Sequence, residues 1–160
     1  MSCLAWNCCR LKNLHAEEEF EELIRAQDPL IIFLLENWFE KKQLEKIRCN
    51  VKYVGLFTVP RQSKGGELAL LWKSDISMWV DSFSKYHIDV VVNDGSTEVW
   101  CFTGFYDELD MNEREEAWCM LYILHEKLHL PWCCMGDICL GAIWAISMSF
   151  YTWRRRGVGE

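Results

Sequence analysis

Apolar and polar residues follow two rhythms along this chain, and the changes of rhythm mark its elements. Ser2 to Trp6 is a short apolar run that reads as a buried strand. From Ala16 to Ala26 the apolar positions Phe20, Leu23 and Ile24 share one helical face, and Glu17, Glu18, Glu19, Glu21 and Glu22 fill the rest. The acidic run reads as a solvated face suited to the positive end of the helix dipole, with a basic partner's site as the alternative. After Asp28-Pro29, the unbroken run Leu30 to Leu35 predicts a strand covered on both faces. Glu40 to Ile47 predicts a short charged helix. Strands are expected over Tyr53–Val59, Glu67–Trp72, Ile76–Val80, His87–Val92 and Val99–Phe105. Lys64-Gly65-Gly66, Lys73-Ser74-Asp75 and Asn93-Asp94-Gly95 supply turns between them. Asn112 to His125 predicts a third helix, offering Trp118, Leu121, Tyr122 and Leu124 to a core. Pro131 to Met135 is a last buried strand, ending at Gly136-Asp137.

The order is strand, helix, strand, helix, a run of hairpins, helix, strand. It predicts a chain of α+β or α/β class, with two mixed sheets packed together and helices outside. There is no internal repeat and no low-complexity segment. With 160 residues, 51% of them hydrophobic, the chain suffices for one domain with a real core. Its formal net charge of −7 argues against binding nucleic acid by bulk charge. A nuclease stays open, because a bound divalent cation supplies positive charge locally. Nine cysteines are an odd count without a CxxC pair, and two doublets (Cys8-Cys9, Cys133-Cys134) sit in apolar runs. Reduced, buried thiols of an intracellular protein, nuclear or cytoplasmic, are the expectation. Met1-Ser2-Cys3-Leu4 lacks the basic and long apolar stretches of a signal peptide.

Four predicted strands end in a polar residue fit for phosphodiester chemistry: Asn7, Glu36, Tyr106 and Asp137. A hard cation such as magnesium takes oxygen ligands, often one or two carboxylates with waters and a phosphate. Glu36 is the natural ligand, with Asn7 beside it if the first two strands are neighbours. Asp137 could orient an attacking water or accept its proton, and Tyr106 could donate to a phosphate oxygen. Each alone reads as a turn or cap residue; four in this order read as a site. His87 is taken as a strand histidine at a sheet edge rather than a ligand, and the nine tryptophans as packing residues rather than base-stacking ones.

Five segments carry a resemblance: Ala5-Trp6-Asn7-Cys8, Phe33-Leu34-Leu35-Glu36, Gly65-Gly66-Glu67-Leu68-Ala69-Leu70-Leu71-Trp72, Phe102-Thr103-Gly104-Phe105-Tyr106 and Pro131-Trp132-Cys133-Cys134-Met135-Gly136-Asp137. Together they look like the endonuclease/exonuclease/phosphatase superfamily. More narrowly, they resemble the apurinic-endonuclease-like domain of plant LINE-type retrotransposons, over residues 2 to 139. The resemblance implies a four-layer sandwich of the deoxyribonuclease I type, magnesium as cofactor, DNA as partner and hydrolysis of a phosphodiester by water. It implies no small-molecule cofactor and leaves the oligomeric state open. Asn7 and Glu36 fall at metal-site positions, Tyr106 at the phosphate-contacting tyrosine, and Asp137 at the acid of a Gly-Asp-Phe-Asn motif.

Three departures lead to the expectation of a degenerate copy without activity. Arg10 stands where the family has a turn glycine. Cys139 stands where it has the motif's asparagine, and a thiol cannot replace an amide toward a phosphate. The family's Ser-Asp-His motif, whose histidine is the general base, does not occur in the 160 residues. Residues 1–139 are thus read as the front portion of the domain and 140–160 as a divergent tail. Phe150-Tyr151-Thr152-Trp153 resembles a strand found much later in the family, so the tail is expected to bridge an internal deletion. Two other functions stay open: a non-catalytic binding or structural remnant, and a phosphatase of the same superfamily. Ile138 to Trp153 is also uncharged and precedes Arg154-Arg155-Arg156, which is the argument for a membrane-associating tail; at 16 residues it is short for a span.

Overall fold

The structure, a computed structural model, describes residues 2–8, 15–60, 67–106, 111–127, 129–137 and 152–153. Two sheets form its centre. The first contains β1 (Cys3–Asn7), β2 (Ile31–Asn37), β3 (Gly55–Val59) and β4 (Glu67–Trp72) in the order β1-β2-β4-β3. β1 runs parallel to β2, and the other pairs are antiparallel. The second contains β5 (Met78–Phe83), β6 (His87–Val92), β7 (Trp100–Tyr106), β8 (Trp132–Asp137) and β9 (Thr152–Trp153) in sequential order. Here β7 and β8 are the parallel pair. Both sheets are therefore mixed, as the element order predicts.

Each parallel pair needs a crossover, and helices supply it. α1 (Ala16–Gln27) joins β1 to β2, and α3 (Met111–Lys127) joins β7 to β8, while α2 (Lys41–Asn50) follows β2. β2 shows why its sequence is apolar throughout. Ile31, Phe33 and Leu35 face the second sheet, where they meet Ile88, Val90, Val92 and Phe102. Ile32 and Leu34 face the other way and pack on Phe20 and Ile24 of α1 and Leu44 and Ile47 of α2. Beyond the second sheet, Ala117 of α3 covers Phe105 and Tyr86. The result is four layers, helix–sheet–sheet–helix, and the expected sandwich is the fold observed.

The acidic face of α1 is only partly a solvated one. Glu17 accepts from Gln43 and Lys46 of α2 at 2.7 and 2.8 Å, and Glu21 accepts from Asn50 at 2.7 Å. Two of the five glutamates thus hold α1 against α2.

Several boundaries differ from expectation. β5 spans Met78–Phe83 rather than Ile76–Val80, because it is an edge strand whose pattern alternates. A bulge at Asp81 and polar residues further along hide it from a search for apolar runs. β3 starts at Gly55, since Tyr53 is used as an anchor whose hydroxyl donates to the Pro29 carbonyl. In α3, Ala117 and Leu124 are buried, and Tyr122 is exposed rather than in the core. The Trp118 side chain lies outside the described residues, as do Arg10, Cys139 and residues 138–151. At the far end of the tail, Thr152 and Trp153 pair antiparallel with Cys133 and Trp132, so β9 extends the second sheet beside β8. No described helix is long and apolar enough to cross a membrane.

Candidate active site

Parallel pairing decides where the four polar residues go. In β1 and β2 the C-terminal ends lie side by side, with Asn7 opposite Leu35 and therefore next to Glu36. In β7 and β8 the same holds, with Tyr106 opposite Asp137. The two pairs then meet at one end of the sandwich. The Tyr106 hydroxyl donates to Glu36 Oε1 at 2.7 Å, a hydrogen bond from one sheet to the other. Residues 70 positions apart are thus joined, and all four predicted positions stand at adjoining strand ends. The Asp137 side chain lies outside the described residues; its backbone is the last of β8.

Glu36 reaches that end through an irregularity. Continued alternation would turn it toward α1 and α2, with Ile32 and Leu34. Instead its φ is +47°, and the register of β2 on β4 slips between Leu34 and Asn37. A bulge of this kind re-aims a side chain, and a non-glycine residue with positive φ persists only where its surroundings hold it. Tyr106 provides part of that hold. Asn37 provides more: fully buried, its Oδ1 accepts from the Phe39 amide at 3.0 Å, which closes the turn after the strand. Phe39 in turn stacks on Phe20 of α1.

Two further residues shape the site. Cys8 is buried beside it, and burial, then the charge of Glu36, push its thiol up to about 12. Its Sγ lies 3.9 Å from the Trp6 carbonyl oxygen. Gly136 has φ +153°, and a Cβ built on it would lie 1.7 Å from the Phe105 carbonyl oxygen. Only glycine lets β8 lie that close to β7 immediately before Asp137.

His87 is not at a sheet edge. β6 is an interior strand, flanked by β5 and β7, and His87 is 1% exposed. Its Nδ1 is 2.8 Å from Ser84 Oγ and its Nε2 is 3.2 Å from Ser82 Oγ. Burial lowers its pKa from 6.5 to about 4. It pairs with Phe105, on the face turned to α3, and Tyr106 belongs to the opposite face. It takes no part in the site. Asp89, two residues on, is buried as well and accepts from Thr103, which accepts from Trp132 Nε1 at 2.7 Å. This chain of contacts ties β6, β7 and β8 in register behind the site. Its signal in the sequence is the pair of polar residues two apart in an otherwise apolar strand.

Among the described residues no group of three or more His, Cys, Asp or Glu side chains could hold a metal ion. Among the described side chains, the strand ends bring together one carboxylate, Glu36, with Asn7 as its neighbour. Such a set fits a hard cation that keeps its waters and takes further oxygens from a phosphate. It does not fit a soft or structural metal, which needs three or four nitrogen or sulfur ligands.

No protein-family model matches the chain, and no curated protein matches it by sequence. Solved structures do match by shape. A mannosyl-6-phosphatase from Bacteroides thetaiotaomicron superposes with a TM-score of 0.63 at 12% identity, over 86% of this chain and 64% of that one. TDP2 from D. rerio, complexed with single strand DNA product, gives 0.59 at 12%, over 86% and 60%. An endonuclease/exonuclease/phosphatase family protein from Bacteroides thetaiotaomicron gives 0.59 at 12%, over 84% and 62%. The fold is that of the endonuclease/exonuclease/phosphatase structures. At these identities the likeness establishes the fold alone. The chain spans about three fifths of the length of these proteins.

Proposed function

We propose that this chain is a phosphodiesterase-type domain of LINE-retrotransposon descent that no longer hydrolyses DNA. The observation that supports the reading most is the Tyr106–Glu36 hydrogen bond between the sheets, with Asn7 and the end of β8 on either side of it. In this reading Glu36 and Asn7 hold a magnesium ion. When bound, that ion offsets the negative charge of a DNA phosphate. Tyr106 turns its hydroxyl from Glu36 to a phosphate oxygen, a donor aimed where charge builds in the transition state. Asp137 orients the water that attacks phosphorus.

The expected loss of activity rests on Cys139, which stands where the motif's asparagine is expected. Cys139 offers no amide to the phosphate, and loss of one such donor costs roughly 10²–10³ in rate by analogy with oxyanion holes. His87, buried on the face turned to α3, is not placed to serve as a general base at the site. Recombinant chain is therefore expected to leave supercoiled plasmid intact with magnesium as with EDTA. Magnesium-dependent nicking that disappears in Glu36→Ala would refute the inactivity.

A phosphomonoester substrate is the second reading, favoured by the shape match to the mannosyl-6-phosphatase. Release of phosphate from a sugar phosphate, lost in Glu36→Ala, would decide for it. DNA binding without turnover by either assay would leave the binding remnant.

A further inference from the structure

Trp38 departs from the expectation that the tryptophans are packing residues. It is 50% exposed, and among the described tryptophans only Trp79, at 46%, is exposed as well. The exposure of Trp38 is fixed by its neighbours. Asn37 and Phe39 on either side are buried. The Asn37 side chain accepts from the Phe39 amide at 3.0 Å and donates to the Phe39 carbonyl at 3.4 Å. The backbone around Trp38 is thus pinned, with both neighbours turned inward and the indole left toward solvent. An indole held there forgoes the burial that a tryptophan ordinarily gains, so packing does not account for it.

Its position does. Glu36 stands two residues earlier, partly exposed at the candidate site. Their Cα atoms are at most about 7.6 Å apart, so a phosphate held at Glu36 brings the adjoining sugar and base within reach of the indole. Charge points the same way. Lys41 and Lys42, both exposed, occupy the first turn of α2, and no acidic residue does. Positive charge at that end opposes the helix dipole, so helix stability does not explain the two lysines, whereas an anion beside them would. Glu40, the N-cap, is the one acidic side chain between them and Trp38.

We propose that Trp38 is a stacking platform for an unpaired base of single-stranded DNA, beside the phosphate at Glu36 and Tyr106, with Lys41 and Lys42 on the phosphate that follows. The inference rests on the reading of that site as one for phosphodiesters. In a duplex the faces of a base are covered by its neighbours, and a single strand leaves them open. Every base has such a face, so the platform tolerates any sequence. Two lysines supply local charge on a chain whose net charge of −7 gives no bulk attraction. Stacking needs neither an amide at position 139 nor a general base. A chain that no longer hydrolyses DNA would therefore still hold a single strand.

The test measures binding of a short oligothymidylate carrying one 2-aminopurine to the full-length chain in magnesium, by anisotropy of a terminal dye. Trp38→Ala should weaken binding about 5- to 100-fold, the range for loss of one base–aromatic stack, and Trp38→Phe should recover part of it. The 2-aminopurine fluorescence, which falls when the base stacks, should drop with the wild-type chain and stay higher with Trp38→Ala. Trp79→Ala is the control. By strand register Trp79 aligns with Val91 and Cys101, five residues and about 17 Å from Tyr106 along β7, and its loss should leave affinity unchanged. Glu36→Ala separates the two ideas. Affinity that falls in Glu36→Ala but not in Trp38→Ala overturns the platform and leaves the phosphate site standing. Equal losses in Trp38→Ala and Trp79→Ala overturn it too, as binding without a defined platform. No binding by the folded chain refutes the site reading, and the platform with it. Trp38→Phe keeps an aromatic ring at the position, so the comparison holds even where the alanine variant folds poorly.

Discussion

A carboxylate that leaves its strand at positive φ must be held there, and Tyr106 is part of what holds Glu36. Tyr106 is 4% exposed and packs in the inter-sheet core, so phenylalanine fills its place without a cavity. Tyr106→Phe removes one hydrogen bond to a charged group and is expected to destabilise the chain by about 1–2 kcal/mol in urea titration, with an unchanged far-ultraviolet spectrum. A loss near zero would mean that water replaces the phenol and that Glu36 is held by its backbone alone. His87 gives a second test, through pH. Its pKa is 6.5 ordinarily and about 4 in the fold, so below pH 6.5 the unfolded chain takes up the proton first. Stability should therefore be full above pH 6.5 and fall as the pH drops toward 4, by about 3 kcal/mol from this group. His87→Gln should remove this part of the slope between denaturation curves measured at pH 7 and pH 4.5.

Strand ends were the legible part of the site, and the turn that aims Glu36 was not. The run Leu30 to Leu35 announces a strand with both faces covered, and the structure covers both. Nothing in Leu35-Glu36-Asn37 announces a bulge, because a slip of register depends on β4 as much as on β2. The mistaken edge position of His87 has a similar origin. Whether a strand is interior is set by the strands that join it later in the chain, and β6 is interior only because β7 returns beside it. Helix α2 was legible because its signals are local, but its attachment was not. Gln43 accepts from the Glu40 amide at 2.8 Å, a capping contact, and donates to Glu17 of α1 at 2.7 Å. Gln43→Ala should therefore cost more than a cap alone, about 1–2 kcal/mol. Glu17→Ala combined with it should cost less than the sum of the two, a coupling that thermal melts of the three variants would measure.

At the scale of the whole molecule, the question is whether two sheets drawn from opposite halves of the sequence behave as one body. Phe33 is where they are joined. It lies at the centre of β2, is fully buried, and meets Phe102 edge to face with ring centroids 6.5 Å apart. Gly104 of β7 makes room for it: a Cβ there would lie 2.3 Å from the Phe33 ring. The ring is thus seated in the opposite sheet, in a gap that only a glycine leaves. Phe33→Ala should cost about 3–5 kcal/mol, from lost transfer energy and a cavity that two rigid sheets cannot close. If the sheets form one cooperative unit, tryptophan fluorescence and far-ultraviolet circular dichroism of the variant should report the same, lowered midpoint in urea. Separated midpoints would mean that the first sheet with α1 and α2 unfolds apart from the second. In that case the site could not survive the loss, since Glu36 and Tyr106 come from different sheets and their hydrogen bond exists only while the two stay packed. Coincident midpoints would place the integrity of the site in the core beneath it, where Phe33, Phe102 and Gly104 set the distance between the strands that end in Glu36 and Tyr106.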